Sequence, residues 1–77
     1  MKRTSHSYYV VMIDYGRKGL EAIVDPELTK QNIIGRIASH EYDPERIVFI
    51  HHVDGLFVED VTGDLMSHAG VALQAAE

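Results

Sequence analysis

Ile47-Val48-Phe49-Ile50-His51-His52-Val53-Asp54-Gly55-Leu56-Phe57-Val58-Glu59-Asp60-Val61 decides how this chain is read. β-Branched and aromatic residues fill both halves of the stretch, and Asp54-Gly55 between them is the strongest hairpin dipeptide in the sequence. Arg46 to Val53 is read as one strand and Leu56 to Val61 as its antiparallel partner. With Asp54-Gly55 as a two-residue turn, Val53 faces Leu56, His52 faces Phe57 and His51 faces Val58. Successive strand side chains point to opposite faces, so the adjacent histidines cannot share one task.

Working towards the N-terminus, the same pattern recurs. Tyr8 to Tyr15 is a strand rich in aromatic and β-branched residues. Gly16-Arg17-Lys18-Gly19 is a turn whose glycines supply positive φ, and Leu20 to Val24 returns as a second strand. Asp25-Pro26 ends it, because proline cannot donate to a sheet ladder. Thr29 is the expected N-cap of a helix carrying Ile33, Ile34, Ile37 and Ala38 up to about Glu41, with Asp25 and Pro26 as an alternative start. Tyr42 to Glu45 connects this helix to the central stretch. Beyond it, Thr62 can cap a last helix with Leu65, Ala69, Ala72, Leu73 and Ala76 on one face, Gly70 weakening its middle.

The chain therefore reads strand-turn-strand-helix twice. The expected fold is α+β, ββαββα, with two β-hairpins in a four-stranded sheet and two helices packed mainly on one face. Residues 1–77 form one domain, with 1–6 as a frayed arm. Strand order is not readable at this level.

Both faces of both hairpins are apolar. Ile47, Phe49, His51, Val53, Leu56 and Val58 fall on one side of the second hairpin, and Val48, Ile50, His52, Phe57 and Glu59 on the other. In the first, Tyr9, Val11, Ile13 and Tyr15 oppose Tyr8, Val10, Met12 and Asp14. A sheet with one solvated face alternates apolar and polar residues cleanly, and this one does not. Two short helices cover one face only. Exposing Val10, Met12, Ile23, Val48, Ile50 and Phe57 together would create a patch larger than monomers usually carry. These six are the expected interface of a twofold homodimer. The alternative is one helix on each face.

Size argues in the same direction. A chain of 77 residues buries only about 60% of the surface its unfolded form exposes, and such domains are commonly reinforced by disulfides, metals or partner subunits. Cysteine is absent, which excludes disulfides, thiolate metal sites and cysteine catalysis and fits a reducing compartment. Twelve acidic against seven basic residues give a formal charge of -5, which argues against an electrostatic grip on nucleic acid. Lys2 and Arg3 are followed by polar residues, so no secretory signal is read, and no apolar run approaches the ~20 residues of a membrane span. The expectation is a cytoplasmic protein.

His51 and His52 are the candidate catalytic residues, since imidazole titrates where general acid–base chemistry needs it. His51, on the more apolar side, reads more simply as a partly buried histidine bonded to a carbonyl or carboxylate. No cofactor is called for. A divalent metal would have His52, Asp54 and Glu59 as ligands, one imidazole and two carboxylates from one face of the hairpin. Asp54 is equally explained by the turn, and His52 by pairing with Glu59. Ser39, Ser67 and Thr62 are not in a nucleophile-elbow context. Glu59, Asp60 and Asp64 near the last helix suit its dipole, or a basic partner or divalent ion. Gly16 to Gly19 lacks the phosphate-loop pattern and leads into a strand rather than a helix, though the basic tip with Lys2 and Arg3 is the one place a nucleic-acid backbone would touch. His40 and His68 read as surface residues.

Tyr9 to Gly16 and Val53 to Thr62 resemble stretches of small uncharacterised bacterial proteins. The resemblance implies a bacterial or mobile-element origin and no activity. The expected function is that of a non-enzymatic accessory or regulatory protein, homodimeric and acting on an unidentified protein partner. The competing class is a metal-dependent or histidine-based enzyme or sensor centred on His51-His52.

Overall fold

Glycine-bounded reversals and Pro26 cut the chain into the short elements of the computed structural model, which describes residues 7–71. Strand β1 (Ser7–Asp14) turns into β2 (Leu20–Val24). Helix α1 (Lys30–Ala38) leads to β3 (Ile47–Asp54), which turns into β4 (Phe57–Asp60), and α2 (Thr62–His68) follows. All pairings are antiparallel, in the order β2-β1-β3-β4. The first strand of each hairpin thus lies at the centre. The architecture is the expected α+β, ββαββα sheet with both helices on one face; the arm expected at 1–6 falls outside the described residues.

Local chemistry explains most boundaries. Gly16 and Gly19 take positive φ, at 70° and 90°, and the Tyr15 N–H donates to the Gly19 carbonyl at 2.8 Å to close the first turn. Thr29 caps α1 as expected, its Oγ1 accepting from the Asn32 N–H at 3.1 Å. The helix ends through His40, which adopts a φ of 67° while its N–H donates to the Ile37 carbonyl.

α2 departs from expectation at both ends. Thr62 is its first residue and not its cap: the preceding Val61 carries no capping side chain, and the Thr62 hydroxyl is engaged elsewhere. At the other end Gly70, at φ 82°, terminates the helix. Its N–H donates to the Ser67 carbonyl and the Val71 N–H to the Met66 carbonyl, both at 3.0 Å, the Schellman pattern that glycine favours. Gly70 is a stop signal and not a weak point within a longer helix. Ala72, Leu73 and Ala76 lie outside the described residues.

One cluster fills the space between sheet and helices. Val11 and Ile13 of β1 and Ile50 of β3 meet Ile33 and Ile37 of α1 and Leu65 and Met66 of α2, with Leu28 and Tyr42 closing the sides. Among the described residues no polar or charged side chain is buried. Each fully buried aliphatic side chain contributes about 1.5–3 kcal/mol, so these few residues carry the domain.

One register corrects the expected sheet and another adds a bulge to it. Gly55 and Leu56, not Asp54 and Gly55, are the central residues of the second turn, and Asp54 pairs with Phe57. Gly55 has a φ of 63° and Leu56 does not, the type II′ pattern with glycine first. Val53 then opposes Val58, His52 opposes Glu59, and His51 opposes Asp60. Between β1 and β3, Met12 pairs with Phe49 but Ile13 with Ile47, leaving Val48 as the extra residue of a bulge.

Candidate functional site

The face of the sheet away from the helices is built by parity. From β1 it receives Tyr8, Val10 and Met12. Their partners on β3 are Val53, His51 and Phe49, and Val10 and Met12 pair on β2 with Val24 and Ala22. Leu20 extends the face on β2, and Val58 on β4. No element among the described residues covers these side chains. Leu20 is 63% exposed, Val24 53% and Val58 61%, whereas Val10, Met12, Phe49, His51 and Val53 are half-buried by their neighbours in the sheet.

Of the six residues expected at an interface, Val10 and Met12 lie at the centre of this open face. Ile50 does not: it pairs with Val11 and is fully buried under the helices. Ile23, also opposite Val11, packs against the same core. Phe57, opposite Asp54, is on the helix side, beyond the helices and 80% exposed. Val48 is displaced by the bulge and half-exposed. Each hairpin divides into two faces much as the sequence indicates. The pairing of Val10 with His51 decides which faces join, and it joins the Val10–Met12 side to the Phe49–His51 side. Phe49, His51, Val53, Val58, Leu20, Ala22 and Val24 join this face beyond the residues expected at the interface.

The two histidines lie on opposite faces, as strand geometry requires. His51 is on the open face, its ring stacked on Phe49 at 4.0 Å and 21°. Its cross-strand neighbour is Asp60, whose carboxylate accepts from the Thr62 hydroxyl at 2.6 Å and the Thr62 N–H at 3.0 Å. Those two bonds, the hydroxyl first, hold Asp60 below the ordinary carboxylate range, and the His51 ring adds to them. The Thr62 Oγ1 also accepts from the Ile50 N–H at 2.8 Å, replacing the carbonyl that a longer β4 would supply.

His52 is on the helix side. Its Nε2 lies 2.7 Å from the Ser7 Oγ, and its ring packs against Tyr9 at 4.6 Å. Glu59 is directly opposite, closer than the diagonal placement expected from the turn. Asp54 shares this face but is paired with Ser7 and Phe57 at the sheet's end. Among the described residues, no three histidine, aspartate or glutamate side chains come together to hold a metal ion.

Other candidates are engaged in local structure. The Ser39 hydroxyl donates to the Arg36 carbonyl at 3.2 Å, and the His68 Nδ1 lies 2.8 Å from the Asp64 carbonyl. Asp64 also pairs with Lys30 at 3.5 Å. Arg17 and Lys18 sit at the tip of the first hairpin, while Lys2 and Arg3, expected beside them, fall outside the described residues. No described helix is long and apolar enough to cross a membrane. No protein-family model, no curated protein and no solved structure matches the chain.

Proposed function

We propose that this is a small cytoplasmic protein that acts through protein–protein contact and not through chemistry of its own, as a homodimer whose two open sheet faces pack together. The observation that carries the reading is the apolar surface formed by Val10, Met12, Ala22, Val24, Phe49, Val53 and Val58 around His51 across all four strands, with no described element laid over it. A solvated antiparallel face carries polar residues at such positions. A second copy supplies a matching surface at the usual ~10 Å sheet-to-sheet spacing, and a twofold axis lets one patch cover itself.

The face is favoured over the sheet edges by chemistry. β4 is four residues long and ends in Glu59-Asp60, and β2 carries Glu21 and runs into Asp25-Pro26. Short, charged and proline-terminated edges resist strand addition. The Ser39 hydroxyl donates to the Arg36 carbonyl and the Thr62 hydroxyl to the Asp60 carboxylate, and hydroxyls so engaged favour a binding role over nucleophilic chemistry.

The test is sedimentation equilibrium across a concentration series, comparing the wild type with Met12→Asp. The wild type is expected to dimerise. The variant brings two unpaired carboxylates into a closed apolar interface and is expected to weaken association at least ~100-fold, with the folded circular dichroism spectrum kept. A wild type that sediments at 8.7 kDa throughout, or a Met12→Asp dimer of unchanged affinity, overturns the reading.

A further inference from the structure

On the helix side of the sheet, away from the open face, a cleft of about 230 Å³ lies between the first turns of α1 and α2 and the strands β1, β3 and β4. Its lining is more polar than apolar; the apolar part is the ring of Tyr9, packed against His52, with Val61 beside it, and Leu65 lies behind them in the core. Its charged rim is Glu59 from β4, Asp64 from α2 and Lys30 from α1. We infer that this cleft is a binding site for a small organic cation, a primary ammonium carried on an apolar or aromatic body.

The sign of the ligand follows from the pairing around the rim. Lys30 and Asp64 neutralise each other at 3.5 Å. Glu59, an exposed residue of β4 at the rim of the cleft, has neither an ion-pair nor a hydrogen-bond partner among the described residues. An anion entering the cleft would meet this carboxylate and have to take Lys30 from Asp64. A cation meets Glu59 directly, and Tyr9 offers a ring face that attracts positive charge and an apolar body alike. The size of the ligand follows from the volume. The cleft lies below the roughly 300–1,000 Å³ of sites that enclose drug-sized molecules. At ~30 Å³ for each water-sized group it accommodates about eight. A phenyl ring on a two-carbon amine is of that size, with its ring against Tyr9 and Val61 and its ammonium at Glu59.

This site does not depend on dimerisation, since it lies on the other side of the sheet. The test is titration of the ¹⁵N-labelled full chain with phenethylamine and with its anionic counterpart 3-phenylpropionate, followed by amide chemical shifts. Phenethylamine is expected to bind saturably with a Kd of about 1 mM, moving the amides of Tyr9, His52, Glu59 and Leu65. Glu59→Gln is expected to weaken it about fivefold, the upper end for an exposed ion pair. Lys30→Gln, which releases Asp64, is expected to tighten binding by a similar factor, an effect that simple apolar adsorption would not produce. Equal shifts from the amine and the carboxylate, shifts confined to the open face, or indifference to both substitutions would overturn the inference.

Discussion

Replacing Thr62 with valine removes one hydroxyl and keeps the shape of the side chain, and it should be among the most damaging changes available outside the core. The hydroxyl accepts from the Ile50 N–H at 2.8 Å and lies 2.6 Å from the Asp60 carboxylate and 3.3 Å from the Ile50 carbonyl. It holds one proton, and the shorter contact to a charged acceptor makes Asp60 its partner. Ile50 is fully buried at the centre of the sheet, so its N–H has no water to turn to. Leaving such a donor unsatisfied costs about 1–3 kcal/mol. For a domain of this size, ~2 kcal/mol corresponds to a fall in Tm of roughly 8–16 °C.

The acid side of the stability curve gives a second readout. Asp60 is held below its ordinary value, with the Thr62 hydroxyl as the largest cause. A depressed carboxylate contributes stability that is present above its unfolded pKa, near ~3.9, and is lost as pH falls through the lower folded value. The gap between wild type and Thr62→Val should therefore narrow below about pH 4, towards the part owed to the Ile50 N–H alone. Thermal unfolding at fixed protomer concentration across this range is the assay, with Thr62→Ser as the variant that keeps the hydroxyl and most of the stability. Should Thr62→Val melt within about 2 °C of the wild type at neutral pH, Thr62 is not what holds β3 to the start of α2.

Two backbone positions predict changes of opposite sign. His40 holds a left-handed φ of 67° at the end of α1, a conformation that costs a non-glycine residue about 1–2 kcal/mol, so His40→Gly should raise the Tm by several degrees. Gly70 holds φ 82° at the end of α2 with no atom within 4 Å of where a Cβ would stand, so Gly70→Ala should lower stability by about 1 kcal/mol through backbone strain alone. Denaturant midpoints with unchanged m-values would check both.

The elements were legible in the sequence because their signals are local. Thr29 before an Ile33–Ile37 pattern fixes the start of a helix, and glycines at 16 and 19 fix a reversal. What was not legible depends on contacts between distant segments. Nothing near Val10 indicates that it will lie beside His51, yet that pairing decides that Ile50 is core and Phe49 is surface. The bulge at Val48 arises from fitting β3 onto β1 and has no marker in Ile47-Val48-Phe49. Two local signals carried more than one meaning. Asp54-Gly55-Leu56-Phe57 admits a turn centred on either Asp54-Gly55 or Gly55-Leu56, and the structure takes the second. Gly70 reads as a weak interior residue or as a terminator, and the carbonyls of Met66 and Ser67 decide for the terminator.

The consequence of the β1–β3 register is that two neighbouring histidines serve surfaces that do not touch. His51 stacks on Phe49 at the centre of the open face, and His52 packs on Tyr9 at the wall of the cleft. If the open face closes against a second copy, His51→Leu replaces a polar ring with an aliphatic side chain at the heart of that contact and should tighten association several-fold. The same change should leave amine binding in the cleft where it was. His52→Ala removes the ring that supports Tyr9 and should weaken amine binding several-fold while the dimer persists. Sites this close in sequence but separated by the sheet should behave as independent, and the sum of the single effects should match the double variant. Sedimentation equilibrium and shift titration on the two single variants and their combination measure this directly. A change in dimerisation caused by His52→Ala, in a protein that remains folded, would mean that β3 transmits between its faces and that the two surfaces form one coupled device.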